Sequence, residues 1–201
     1  MYVLFDLIHD MPIAEAIYDN IKTNTIKEFI ENTIPHHKIT LIVTDLKDNY
    51  DYLMSRLGFE HQYCIFHLIK NINKKIKKHL NETKTKIEKK IKKNLPELNK
   101  KQLKEKVEKK LKIIKKEINL FKSIFLDLFK QKTHKDALKY IKILKYILDD
   151  FLKFFAKYLK QEFSPKYKKF LTFLKNPHKE KINSINNKTE NYIGKHNAQS
   201  K

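Results

Sequence analysis

Residues 41–67 read LIVTDLKDNYDYLMSRLGFEHQYCIFH. The stretch opens on an apolar run, Leu41-Ile42-Val43-Thr44, that stops at Asp45. Four apolar or β-branched residues ended by a polar break predict a buried strand. An acid at the carboxyl end of such a strand stands where open α/β sheets bind their ligands. Tyr50, Leu53, Met54 and Leu57 then recur at helical spacing, and Gly58 is a stop signal. A second strand is expected near residues 60–66, carrying Cys64-Ile65-Phe66-His67, a C-x-x-H pair. The unit is strand, acid, helix, strand. Taken alone, Asp45 is as well explained as a turn acid or helix cap, a common use of Asp after a strand.

Working outward, residues 1–8 predict a strand, His9-Asp10-Met11-Pro12 a turn, and residues 13–18 the second strand of a hairpin. Residues 25–34 predict an amphipathic helix with Ile26, Phe29 and Ile30 inward, ending near Pro35. From 68 to 174 the pattern is helical. A first lysine-rich helix breaks at Asn94-Leu95-Pro96. A second has the stripe Leu103, Val107, Leu111, Ile114, Ile118, Phe121, Phe125, Leu128, one apolar face at steps of three and four. Thr133 with Asp136 three residues on predicts the cap of a third helix, and Ser164-Pro165 the start of a last one.

The chain has 201 residues, with 44 Lys+Arg against 23 Asp+Glu, a formal net charge of +21. Such a balance calls for a polyanionic partner, nucleic acid first and an anionic membrane surface second. Residues 70–116 hold 20 of the lysines and no Asp or Arg, and Arg56 is the chain's single arginine. Lysine suits phosphate, whereas arginine is the usual reader of guanine edges, so backbone binding is expected rather than base readout. Lys74, Lys75, Lys77, Lys78, Lys89, Lys90, Lys92 and Lys93 are the candidate DNA-binding residues. The same lysine density also fits a solvated helix face, a compositional bias, or an arm for a homodimer. One cysteine excludes an internal disulfide, and two glycines exclude a glycine-rich phosphate loop. No apolar run is long enough to span a membrane; of the two polyanions nucleic acid is the partner expected, and no membrane. Cys64 and His67 have no partner cysteine, and a structural zinc site wants four ligands, which disfavours zinc here.

The segment T-D-x-x-x-x-Y…H-Q-x-C-x-F-H-x-x-x-N, carried by Thr44, Asp45, Tyr50, His61, Gln62, Cys64, Phe66, His67 and Asn71, resembles the core of DDE transposases of the Mutator-like and related prokaryotic insertion-sequence families. Near the carboxyl end, Ser184-Ile185-Asn186-Asn187-Lys188-Thr189-Glu190 resembles the T-N-N-x-x-E element of the same proteins, with Ile185 where Thr is usual. By itself that segment is equally a helix capping box. The resemblance implies an α/β (α+β) fold, a ribonuclease-H-like mixed sheet that is N-terminally incomplete and interrupted by a large lysine-rich helical insertion. Residues 1–67 and 176–201 would form the catalytic core and 68–175 the insertion.

The resemblance further implies a transposase that cleaves and joins transposon-end DNA with two Mg²⁺ (or Mn²⁺) ions held by carboxylates. Asp45 and Glu190 are the catalytic and metal-binding acids it assigns, and C-x-x-H buttresses the site or contacts the DNA end. Its first catalytic Asp belongs on a strand preceding the hairpin. Asp6 instead is expected at the turn end of the hairpin, away from Asp45. The chain is therefore expected to be a truncated copy, weak or inactive in catalysis. The partners implied are DNA, as terminal repeats and target, and the location the cytoplasm of a prokaryote, at the nucleoid. Two other readings stand beside this one: a non-enzymatic basic helical nucleic-acid-binding protein, and a ribonuclease-H-like host nuclease that cuts without joining.

Overall fold

The computed structural model describes residues 2–17, 22–33, 41–150 and 153–184. Tyr2–Asp6 (β1) and Met11–Ala16 (β2) pair antiparallel, with a register shift between Leu4 and Phe5. The expected turn at 9–12 is tighter than its sequence suggested, because Met11 and Pro12 already belong to β2. Asp6 and Asp10 close it. The Asp10 amide donates to the Asp6 carbonyl at 3.0 Å, and Asp10 takes the left-handed conformation (φ 62°) that Asp tolerates better than most residues.

Thr23–Thr33 (α1) leads to Leu41–Thr44 (β3), Asp48–Arg56 (α2) and Glu60–Tyr63 (β4). β3 and β4 pair parallel, Ile42 opposite His61 and Thr44 opposite Tyr63, with α2 as the crossover. Gly58, at φ 75°, allows the chain to leave α2 and turn into β4. Ile26, Phe29, Ile30, Ile42, Leu53 and Met54 form a buried cluster, and Leu4, Ala14 and Ala16 of the hairpin pack against it. The fold is thus mixed α/β and mostly helical, with two small two-stranded sheets among the described residues.

The second strand ends earlier than its sequence suggested. β4 stops at Tyr63, and Ile65–Asn94 (α3) starts two residues later. The Leu68 amide donates to the Cys64 carbonyl at 3.3 Å, closing the first turn, while Ile65, Leu68 and Ile72 begin a buried helical stripe. Cys64 therefore lies at the junction and His67 in the first helical turn, not on a strand.

Asn99 caps Lys100–Asp127 (α4) in a capping box: its side chain accepts from the Gln102 amide at 2.9 Å and its own amide donates to the Gln102 side chain at 3.2 Å. Thr133 accepts from the Asp136 amide at 3.1 Å and opens His134–Asp150 (α5). Lys153–Tyr158 (α6) runs into a π-turn, Leu159–Phe163, and Tyr167–Phe170 (α7) follows. Pro165 does not occupy the first position of that helix, since Lys166 is the residue before it. Lys179–Ser184 (α8) closes the described part.

Two compact units emerge. One is Met1–Leu68 with Lys166–Lys201, the other Ile69–Pro165. Phe170, Thr172 and Phe173, read from the sequence as part of the insertion, hydrogen-bond to β4. In the second unit Val107, Leu111, Ile118, Phe121 and Phe125 are the buried positions of α4. Phe121 stacks on Phe155 (4.4 Å between centroids), and Phe125 meets Phe129 and Phe163 edge-on. The Tyr140 hydroxyl donates to the Ile124 carbonyl at 2.8 Å.

Candidate functional site

The carboxyl ends of β3 and β4 lie side by side, and the polar groups of the first unit gather there. Asp45 follows β3 directly, its side chain 30% exposed. Its Oδ1 accepts from the Lys47 amide at 3.3 Å, a turn contact, and the Lys47 ammonium is 3.9 Å from Oδ2. Asp45 is a turn acid ahead of α2, whose N-cap residue is Lys47, and its carboxylate at the strand end is partly exposed.

Beneath it runs a network. His61 on β4 is buried, 2% exposed. Its Nδ1 is 3.0 Å from Asp51 Oδ1 and its Nε2 is 2.8 Å from the Thr44 hydroxyl. Burial drives the His61 pKa below its ordinary value, and the attraction of Asp51 offsets this only in part. The ring is thus neutral near pH 7. An ionised Asp51 only accepts, so Nδ1 carries the proton and Nε2 presents a lone pair. The Thr44 hydroxyl, also 2.9 Å from the Asp45 carbonyl oxygen, has one proton for these two acceptors.

Asp51 is salt-bridged to Lys169 at 2.8 Å, and Lys166 pairs with Asp48. Burial pushes the Asp51 carboxyl up, but hydrogen bonds from Lys169 and His61 outweigh it and hold the group below the ordinary carboxylate value. Tyr63 is pushed up to about 12, first by burial and then by the charges of Asp51 and Asp48. Lys166 also stands 5.6 Å over the Tyr63 ring.

Gln62 ties β4 to residues 170–173. Its side-chain amide donates to the carbonyls of Tyr63 (2.8 Å) and Phe170 (2.9 Å), and its carbonyl accepts from the Phe173 amide at 3.0 Å. The Thr172 hydroxyl donates to the His61 carbonyl at 3.0 Å.

Of the residues singled out from sequence, Asp45, Thr44, His61, Gln62 and Cys64 come together at these strand ends. Cys64 is a buried free thiol, and His67 packs edge-on against Phe66 at 5.9 Å. Asp6 is committed to the hairpin: its carboxylate accepts from the amides of Ile8 and His9 and pairs with the His9 ring at 2.6 Å. Glu190, with Asn186 and Asn187, lies outside the described residues. Asp51, Lys166 and Lys169 were not anticipated. The one signal for Asp51 was its place a turn after Asp48 on the exposed start of α2. Among the described residues no three His, Cys, Asp or Glu side chains gather closely enough to hold a metal ion. The described residues alone do not make a two-ion centre.

No helix of the described residues is long and apolar enough to cross a membrane. No protein-family model matches the chain, and no solved structure matches it. Over 74 residues, 37% of its length, the chain is 34% identical to a 48.3 kDa protein of insertion element ISM1 from Methanobrevibacter smithii. The match spans 18% of that relative's length.

Proposed function

We propose that the chain is a transposase-related protein acting on the DNA of a mobile element, with Asp45 as one of its catalytic carboxylates. The carrying observation is the placement of Asp45: a partly exposed carboxylate at the carboxyl end of β3, inside a parallel strand–helix–strand unit. The resemblance to DDE transposases and the partial match to an insertion-element protein support the same reading. The antiparallel hairpin and the parallel pair are the two kinds of strand pairing that a ribonuclease-H-like sheet combines, here as two separate two-stranded sheets.

In this reading Asp45 and Glu190 hold Mg²⁺ or Mn²⁺. Such ions take oxygen ligands, activate a nucleophilic oxygen and stabilise a leaving one. The chain's own contribution is positional. Asp51 orients His61, and the Thr44 hydroxyl stands between His61 Nε2 and the backbone carbonyl of the residue that would carry the metal, with one proton to give to either.

The test uses Fe²⁺ with ascorbate and peroxide, which cuts a polypeptide next to a bound ion whether or not the protein turns over. Cuts near residues 45 and 190, lost in Asp45→Asn and competed by Mg²⁺, are expected. Uncut chain, or cuts unaffected by Asp45→Asn, would overturn the assignment. The second reading, a non-enzymatic nucleic-acid-binding protein, is favoured by the lysines of α3 and α4. It predicts DNA binding with no divalent-ion site at Asp45.

A further inference from the structure

The tip of the α3–α4 hairpin carries a feature that Asp45 does not explain. An open cavity of about 240 Å³ lies between the last turns of α3 and the early turns of α4. Lys90 and Asn94, one helical turn apart, line it from α3. Lys106, Lys109 and Lys110 line it from α4. Ile91 and Leu95 complete the lining. Beside it, Ile91, Val107 and Leu111 pack with Ile87, Leu98 and Leu103 and pin the two helices together.

Four lysines thus line one small open space, and no acidic residue lines it. Of the nearby acids, Glu88 pairs with Lys92 at 2.9 Å and Glu108 with Lys115 at 4.0 Å. None of the four cavity lysines forms an ion pair among the described residues. Like charges on a pinned scaffold repel one another, and an anion relieves that repulsion on arrival.

We infer that this cavity is a cradle for backbone phosphates of duplex nucleic acid. The chemistry of the lining narrows the ligand. The cavity is smaller than the roughly 300 Å³ at which enclosed small-molecule sites begin, and Ile91 and Leu95 are its only apolar residues. No aromatic ring lines it, so it offers no platform for stacking unpaired bases, as single-strand sites do. Lysine contributes point charge without the fork that reads guanine, so the contact is independent of sequence. Asn94 adds an amide donor suited to a phosphate oxygen. The inference rests on the nucleic-acid part of the proposed function and not on metal chemistry at Asp45.

The experiment compares the full chain with Lys90→Gln/Lys106→Gln/Lys109→Gln/Lys110→Gln. The control, Lys135→Gln/Lys139→Gln/Lys142→Gln/Lys145→Gln, removes equal charge from exposed positions of α5. Binding to a short duplex of random sequence is titrated against salt, with helix content checked by circular dichroism. Each lost phosphate contact lowers the slope of log K against log salt by about 0.9. The cradle variant should lose about 3 to 4 units of slope and at least about tenfold in affinity, and the α5 variant clearly less.

Equal losses in the two variants would overturn the cradle in favour of diffuse charge while leaving DNA binding intact. Tighter binding of a single strand of the same length would overturn the duplex assignment. Cradle-dependent binding to phosphatidylserine vesicles and not to DNA would also overturn it. A wild-type chain that binds no nucleic acid would remove the proposed function as well.

Discussion

Gln62 holds main-chain groups of three residues with one side chain, and two of them, on Phe170 and Phe173, lie more than a hundred positions away in sequence. Gln62→Met keeps the shape but leaves buried main-chain groups unmatched, which costs about 1–3 kcal/mol. Urea unfolding of the variant should show an unfolding free energy lower by that amount, read as a lower midpoint at unchanged slope. His61 gives a pH signature. Its folded pKa lies below the ordinary 6.5, so just below that pH the unfolded chain binds a proton that the folded chain does not. Stability should therefore be complete above about pH 6.5 and fall as the solution is acidified. His61→Gln should flatten the acid limb of a melting-temperature profile between pH 7 and pH 5. Some slope will remain, since burial lowers the His79 pKa in the same direction. Both residues stand out in sequence as members of a spaced motif. What they do could not be read there, because their partners Asp51, Phe170 and Phe173 come from other elements.

Helices were the easier part to read. The α4 stripe repeats at three and four residues over its length, and Val107, Leu111, Ile118, Phe121 and Phe125 are buried as that spacing requires. The breaks at Asn94 and Thr133 are also in place, because Pro96 and the side-chain caps act locally. Asn99 is a case where a local rule carries a measurable consequence. Asn99→Ala removes an acceptor from the first turn of α4 and should cost about 1 kcal/mol, read as a lower melting temperature. The end of β4 is hard to place from sequence for the opposite reason. Cys64-Ile65-Phe66 is an apolar run that suits a strand or a buried helix equally, and only the stripe through Leu68 and Ile72 decides between them. Pro165 misled similarly, because a π-turn inserted before it moves the next helix start to Tyr167.

For the molecule as a whole, the charge of +21 and the Asp45 carboxylate predict separable behaviours. Asp45→Asn should leave duplex affinity and its salt slope unchanged or slightly stronger, since it removes one negative charge near a polyanion. A loss of binding in that variant, measured by fluorescence anisotropy, would place Asp45 in folding rather than at a site. Composition alone pointed to the polyanion, and the β1–β2 hairpin was legible from its turn; the parallel pairing of β3 with β4 needed the structure. That pairing has a directional consequence. On the outer side of β4 the carbonyls of His61 and Tyr63 are occupied by the side chains of Thr172 and Gln62, so this edge offers little to another strand. β3 has no second strand neighbour among the described residues. The sheet has one direction in which to grow, and any strand added there runs alongside the one that ends at Asp45.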